Sequence, residues 1–328
     1  MPSLILFLVL FFFAAPRVVE MTPAVATQPV GNDADDPALW LHPSHPERSL
    51  VLGTNKAAAP DGALVVFDLR GEVVQRVAGL DRPNNVDVRG SVAALTERYR
   101  RQVVVFRVGE NGVTRLGEFP VFAGQEGNAG APMGIALYQR PRDWALFAIV
   151  GRKTGPAQGY LWQYRLETGG GALRAVKVRE FGNFSGTGEI EAIAVDDELG
   201  IVYYADEECC IRKWRADPDH PQAGEEIGVF GRDGFRGNRE GIAIYREAGG
   251  EGYIVCTDQI PHGSEYRVFR RRGDQAAPVA VLRGGADSTD GIEVTSAALG
   301  ARFPRGALIA MHSAGRNFLI FPWPLARE

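Results

Sequence analysis

The sequence predicts an all-β chain folded as a six-bladed β-propeller, with four-stranded antiparallel blades and a ring closed by an N-terminal strand. Three observations lead there. Glycine makes up 40 of the 328 residues, with 20 prolines beside it and no fixed Gly-X-Y period, which points to many tight turns and therefore many short strands. Six short apolar segments recur along the chain: Asp36-Pro-Ala-Leu-Trp, Asn85-Val-Asp-Val, Met133-Gly-Ile-Ala-Leu, Glu191-Ala-Ile-Ala-Val, Glu240-Gly-Ile-Ala-Ile and Asp290-Gly-Ile-Glu-Val. Their openers are 49, 48, 58, 49 and 50 residues apart, so each repeat is one structural unit. Each opener is followed by further β-rich runs, and four strands repeated six times make a propeller. An irregular sandwich would account for the strands but not for the period.

In chain order, the second runs are Leu50-Val-Leu-Gly, Val92-Ala-Ala-Leu, Leu146-Phe-Ala-Ile-Val, Ile201-Val-Tyr-Tyr-Ala, Tyr253-Ile-Val-Cys and Ala307-Leu-Ile-Ala-Met. The third runs, such as Leu64-Val-Val-Phe-Asp-Leu and Val103-Val-Val-Phe-Arg-Val, alternate as strands half exposed to water do. Turn residues at Asp68-Leu-Arg-Gly71 and Glu110-Asn-Gly112 connect them to fourth strands. The last repeat ends at Phe318-Leu-Ile-Phe-Pro-Trp323 with too little chain left for a fourth strand. Residues 27–30 are expected to supply it.

Lys and Arg number 36 against 40 Asp and Glu, a net charge of −4, which argues against nucleic acid as a partner. Residues 4–15 are apolar, and Ala24-Val25-Ala26 has the small-x-small pattern of a processing site. The reading is therefore a signal peptide over residues 1–26, a single propeller domain over 27–328, a secreted or periplasmic location and no membrane span in the mature form. Of the three cysteines, Cys209 and Cys210 are adjacent, so no disulfide framework is expected, although one bridge to Cys256 is open. Cys209 to Arg215 has the C-x5-R spacing of a phosphate loop, but the intervening residues lack glycine and read as a strand. No Gly-x-Ser-x-Gly elbow and no H-x-x-x-H pair occurs. His42 and His45, in a proline-rich turn, are read as solvated.

The first strand of each propeller blade lines the central channel, so six equivalent openers should meet at one mouth. Four of them, Asp36, Glu191, Glu240 and Asp290, are carboxylates. Such a ring repels itself unless cations neutralise it, and hard oxygen donors select Ca²⁺ or Mg²⁺, with calcium favoured by the number of oxygens on offer. The competing reading is that each acid caps a turn beside its strand.

The motifs Asp35-Asp-Pro-Ala-Leu-Trp40, Thr54-Asn-Lys56, Asn84-Asn-Val-Asp87, Glu191-Ala-Ile-Ala-Val-Asp-Asp-Glu198, Thr289-Asp-Gly-Ile292 and Asn317-Phe with Pro322-Trp323, in this order, resemble the β-propeller phytases of the 3-phytase type. These are calcium-dependent alkaline phosphatases of myo-inositol hexakisphosphate (phytate). The resemblance runs from about Asp33 to Trp323. It implies Asp36, Glu191, Glu240 and Asp290 as calcium ligands, with Gln259 and Asn317 as further ones and Asp206, Glu207 and Glu208 in an acidic stretch that contributes another. It implies Lys56, Arg98 and either Arg152 or Lys153 as holders of substrate phosphates. It also implies action on phytate, as the calcium complex, by metal-activated water; a monomer is expected, with the oligomeric state otherwise open. The chain departs from the family pattern at Ala57, where a second lysine is usual, at Met133, in place of a tyrosine, and at Asn238, near an expected acid. The alternatives are another calcium-dependent propeller hydrolase, lactonase-like, which would not need the basic residues, and a calcium-stabilised binding propeller of weak activity.

Overall fold

The computed structural model describes residues 15–167, 173–260 and 263–326. Six sheets, each with four antiparallel strands, form the ring of blades that the repeat predicts. Blade 1 comprises Ala34–Trp40, Leu50–Asn55, Gly62–Phe67 and Val73–Leu80, and blade 2 Pro83–Arg89, Val92–Glu97, Gln102–Gly109 and Gly112–Pro120. Blade 3 comprises Pro132–Gln139, Leu146–Arg152, Gln158–Glu167 and Arg174–Asn183, and blade 4 Ile193–Asp196, Ile201–Asp206, Cys210–Arg215 and Glu226–Phe230. Blade 5 comprises Asn238–Arg246, Gly252–Ile260, Gly263–Arg270 and Ala280–Arg283. Blade 6 takes Ile292–Thr295, Ala307–His312 and Asn317–Pro322 from the end of the chain and Val25–Ala26 from its start.

The ring is thus closed by an N-terminal strand, two residues earlier than expected. Val25–Ala26 pairs with Ile320 and Leu319, and the backbone bonds continue from Thr27 N to Phe318 O (2.9 Å) and from Val30 N to Arg316 O (2.9 Å). The sequence did not foretell a fifth strand in blade 5, where Arg17–Glu20 runs parallel to Ala280–Arg283. Residues 1–14, most of the expected leader, lie outside the described residues, whereas residues 17–20 and 25–26 are built into two different blades. Cleavage after Ala26 would remove both strands.

The hydrophobic core is divided among six apolar clusters, each lying between two neighbouring blades. Leu52, Leu64 and Val66 of blade 1 meet Val86, Leu95 and Val104 of blade 2, while the opposite side of the same blade-1 strand, Ala63, Val65 and Phe67, meets Ile309, Phe318 and Ile320 of blade 6. The third strands are therefore buried on both faces, and Gly62–Phe67 is buried throughout. The half-exposed pattern expected of them belongs to the outermost strands, such as Val73–Leu80, because only those have no blade beyond their edge. Burying alternate residues in different clusters means that a one-residue register slip would exchange the two neighbours of a blade, so the register is tightly specified.

His42 is buried, contrary to the solvated reading. Its Nδ1 accepts hydrogen bonds from the backbone N–H groups of Ser44 and His45, and its Nε2 faces Glu110 at 3.0 Å. The expected strand after Cys209 is present as Cys210–Arg215. Cys209 bonds to its neighbour Cys210 rather than either reaching Cys256, which is buried with a free thiol.

Candidate active site

The chain enters each first strand through a device that repeats. In blades 1, 2, 3 and 5 the register of that strand with the second slips between Ala34 and Pro37, Pro83 and Val86, Pro132 and Ile135, and Arg239 and Ile242. Two residues then stand against one, and such bulges re-aim side chains. The first residue of each pair is Asp35, Asn84, Met133 or Glu240, and Glu191 and Asp290 hold the same place before the first strands of blades 4 and 6. These six positions are 49, 49, 58, 49 and 50 residues apart. The second residues are Asp36, Asn85, Gly134, Ala192, Gly241 and Gly291, and they lie against the next blade. A Cβ on Gly134 would lie 1.8 Å from the carbonyl oxygen of Glu191, and one on Gly291 would lie 2.0 Å from Oδ1 of Asp36.

Asp36 therefore stands beside the mouth cluster rather than within it. Its carboxylate accepts a hydrogen bond from the backbone N–H of Val86 in blade 2 (2.9 Å), ties two blades together and lines the channel wall. Its neighbour Asp35 occupies the mouth. There the Lys56 ammonium sits 2.5 Å from Asp35 Oδ1 and 3.0 Å from Asp290 Oδ2. Asn84 Nδ2 donates to Glu191 Oε1 (3.0 Å) and Asp35 Oδ2 (3.3 Å), and Gln259 Nε2 donates to Asp290 Oδ1 (2.7 Å). Glu207 is hydrogen-bonded to Glu240 and accepts from the backbone N–H of Glu189 (2.9 Å). The Glu189 carboxylate pairs with Lys153.

Six carboxylates, Asp35, Glu189, Glu191, Glu207, Glu240 and Asp290, thus share one mouth, and the charge on them is under-compensated. Burial, and then the charge of Asp35, push Glu191 up to about 8 and Asp290 to about 7. Burial, and then the charge of Glu191, raise Glu240 far above the usual carboxylate range, and burial raises Glu207. Asp290 is also hydrogen-bonded to Asp35, as Glu207 is to Glu240, and each carboxyl–carboxyl contact requires a shared proton when no cation is present. Asn84 Oδ1, Asp35 Oδ1 and Glu189 Oε2 are buried without a hydrogen-bond partner, although Asp35 Oδ1 has the Lys56 ammonium beside it. Oxygen donors left open in this way fit a hard divalent cation, with Lys56 standing in for part of its charge.

Among the described residues, the tightest group of metal-type donors lies elsewhere. Asp206, Cys209 and Cys210 each place a ligand atom within 4.8 Å of the others. That group is already committed, because the two cysteines form a disulfide and Asp206 accepts from Arg212 Nε (2.9 Å), Ser185 N (2.8 Å) and Ser185 Oγ (2.6 Å). Asp206 is therefore a buried ion-pair residue of blade 4, matched in blade 5 by Asp258, which pairs with Arg267. Asn317 Oδ1 is likewise buried without a hydrogen-bond partner, while its amide is engaged at the ring closure. It donates to the carbonyl of Thr27 (2.8 Å) and fixes the closing strand.

The basic residues separate in the same manner. Arg152 belongs to the core of blade 3. Its guanidinium donates to the carbonyls of Tyr160 (2.8 Å) and Gly159 (2.7 Å) and stacks over Phe122 at 4.6 Å, and burial holds it below the usual guanidinium range. Arg152→Ala is expected to cost about 3 kcal/mol in denaturant unfolding, since it leaves two carbonyls unpaired and a cavity. The kinetics of the folded fraction should be unchanged, and an intact stability would show that this packing is idle. Lys153 reaches the mouth. So does Arg98, whose Nη2 touches the sulfur of Met133 and whose Nε is buried without a partner. Arg98 does not pair with Glu97 or Asp87, which are taken by Arg100 and Arg89 respectively.

The site is therefore an acid cluster bordered by cations. Sequence reasoning missed Asp35, Asn84, Glu189 and Arg82, the last lying between Lys56 and Arg98. The family model described as Phytase matches residues 12–317. The chain is 30% identical over 334 residues to the 3-phytase of Bacillus subtilis (strain 168), a match that covers 93% of this chain and 84% of that one.

Proposed function

The chain belongs to the phytase family, and from that premise we propose that it hydrolyses the phosphate monoesters of phytate at this mouth, with calcium as its metal. The observation that carries the reading is the meeting, in one mouth, of six carboxylates with cations that border them. The carboxylates call for divalent cations and the cations for an anionic substrate. A lactone carries no charge for Arg98 or Lys153 to meet, which favours a phosphate ester over the lactonase-like alternative.

In this reading Asp35, Glu191, Glu207, Glu240 and Asp290 would hold the calcium, with Asn84 offering an amide oxygen and Gln259 orienting Asp290. Bound calcium would lower the pKa of a water and offset charge on the phosphoryl group. Lys56 is fixed by Asp35 and Asp290, so its ammonium is presented at the cluster rather than left to solvent. Arg98 can offer a planar fork to phosphoryl oxygens from the neighbouring blade, and Lys153, held by Glu189, extends the basic border. Because the mouth is complete within one ring, we propose that the chain acts as a monomer.

We also propose export. Among the described residues no helix is long and apolar enough to cross a membrane. With residues 17–20 and 25–26 built into the ring, removal of the apolar leader ahead of Arg17 suits the fold better than removal at Ala26. N-terminal sequencing of the exported chain distinguishes the two. The function itself is tested by phosphate release from phytate with added calcium and with excess chelator. Release is expected only in the former, and equal release in both would sink the metal assignment.

A further inference from the structure

The turn that carries Glu207 into the mouth also carries the two bonded cysteines. Strand Ile201–Asp206 leads into it and Cys210–Arg215 leads away, with Asp206 and Cys210 paired across the hairpin. Between them stand Glu207, Glu208 and Cys209, and the Cys209 N–H donates to the carbonyl of Asp206 (2.8 Å). The Cys209–Cys210 bond joins chain neighbours, so it closes the shortest loop a disulfide can close and gains the least stability from loop closure. It ties no blade to another. A bond of this kind is not accounted for as a staple, which leaves its local effect on the turn.

Glu207 is held in that turn by contacts that lead back to the disulfide. Its N–H donates to the carbonyl of Glu189 (3.2 Å), and its carboxylate accepts from the N–H of Glu189 (2.9 Å). Its carbonyl accepts from Arg239 N (3.2 Å) and from Arg239 Nη1 (3.0 Å). The same buried guanidinium donates to the carbonyls of Gly231 and Arg232, both at 2.8 Å, and Arg232 places its own Nη1 3.6 Å from Sγ of Cys209. On the other side Arg212 Nη2 lies 3.8 Å from that sulfur, while its Nε holds Asp206 (2.9 Å). The Cys209 sulfur thus sits where two arginine arms meet, one leading to the Glu207 carbonyl and the other to Asp206 at the root of the turn. Cys209 is half-buried and open to a reagent, whereas Cys210 is buried.

We propose that Cys209–Cys210 is a reversible redox site for external dithiols, and that opening it loosens the turn and weakens the hold of Glu207 on calcium. The inference rests on the calcium reading of the mouth given above. In the exchange a thiolate of the dithiol attacks Cys209 Sγ, the S–S bond breaks, and Cys210 leaves with the electron pair and takes up a proton. The second thiol of the reagent then attacks the reagent's own sulfur in the mixed disulfide and displaces Cys209, which finds the Arg212 and Arg232 donors beside it. Two electrons and two protons pass to the chain, and the dithiol becomes a disulfide. The ring that enclosed the peptide unit between the cysteines is then open, and the turn regains the backbone freedom that the ring had removed.

The test follows the calcium dependence of phosphate release by the full chain before reduction with dithiothreitol, after reduction and removal of the reagent, and after reoxidation. Alkylation of the unfolded chain, read by mass, should add one group before reduction, at Cys256, and three after it. Reduction should raise the calcium concentration for half-maximal release about tenfold, the scale on which the loss of a positioning contact weakens a metal site, and reoxidation should restore it. The double variant Cys209→Ser with Cys210→Ser should match the reduced chain and ignore dithiothreitol. Glu207→Gln should begin with weakened calcium dependence and show no redox response. An unchanged calcium dependence in the fully reduced chain overturns the inference, as does a response that persists in Glu207→Gln or in the double serine variant. A collapse of the melting curve in chelator on reduction would make the bond a structural staple and overturns it too. A wild-type chain indifferent to calcium fails the earlier reading instead. The redox site is then decided by hydrogen exchange in chelator, where the amides of Glu189, Glu207 and Arg239 must exchange faster after reduction, and unchanged exchange overturns it.

Discussion

Glu191→Gln is expected to lower phosphate release from phytate by about 100-fold or more at limiting calcium, the scale on which metal sites respond to altered coordination. The substitution keeps the shape of the side chain and removes its charge, at the centre of a group where Asn84 supports Glu191 and Asp35 and Asp290 repel it. The same physics predicts the opposite effect on folding. In excess chelator at pH 8 the variant should melt no lower than wild type, because a buried carboxylate crowded by like charges has been replaced by a neutral amide. Asp290→Asn should behave in the same way, tempered by the loss of its ion pair with Lys56. Activity lost together with stability in both variants would mean that these acids serve the fold rather than the metal, and wild-type rates at limiting calcium would remove them from the site.

The period of about fifty residues was legible because each blade must bury both faces of its inner strands, which forces the same apolar runs to recur. The mouth was legible in blades 4, 5 and 6, where a small residue follows the acid in Glu191-Ala192, Glu240-Gly241 and Asp290-Gly291 and only one side chain can be the ligand. It was misread by one residue in blades 1 and 2, where Asp35-Asp36 and Asn84-Asn85 offer two polar choices. Which member faces the mouth depends on a bulge, and a bulge leaves no signature in alternation. Had Pro37, Val86, Ile135, Ile193, Ile242 and Ile292 been aligned as equivalent positions, Asp35 and Asn84 would have been chosen. Asp206 and Arg152 were named as site residues only through the family resemblance, each as one of adjacent candidates. Their partners, Arg212 in one case and the carbonyls of Gly159 and Tyr160 in the other, come from the hairpin that follows, and the repeat says nothing of how that hairpin pairs. Arg82 carried no sequence signal, since its distinction is the absence of an acid beside it in space.

Metal removal is expected to reverse the pH dependence of stability. In the metal-free fold Glu191 and Asp290 are pushed up to about 8 and about 7 from ordinary values of 4.5 and 3.8, and Glu207 and Glu240 are raised as well. The folded chain therefore binds more protons than the unfolded chain across this interval, and stability falls as pH rises. The contribution of these groups is whole below about pH 4 and is lost as pH rises through 7 and 8. Lys56 does not alter the sign, because its ammonium is raised further above its ordinary value and stays charged throughout the window. Calcium inverts the trend. It competes with the protons for the same oxygens, so its affinity grows as they leave, and a ligand bound only by the folded chain stabilises it in proportion to that affinity. Melting curves between pH 5 and pH 8.5 should therefore diverge, with the melting temperature falling in chelator and rising or holding in excess calcium, and the gap should be widest at the alkaline end. Two parallel curves would mean that the carboxylates at the mouth neither share protons nor bind the metal. Curves that diverge equally in Glu191→Gln would place the calcium at other acids of the ring.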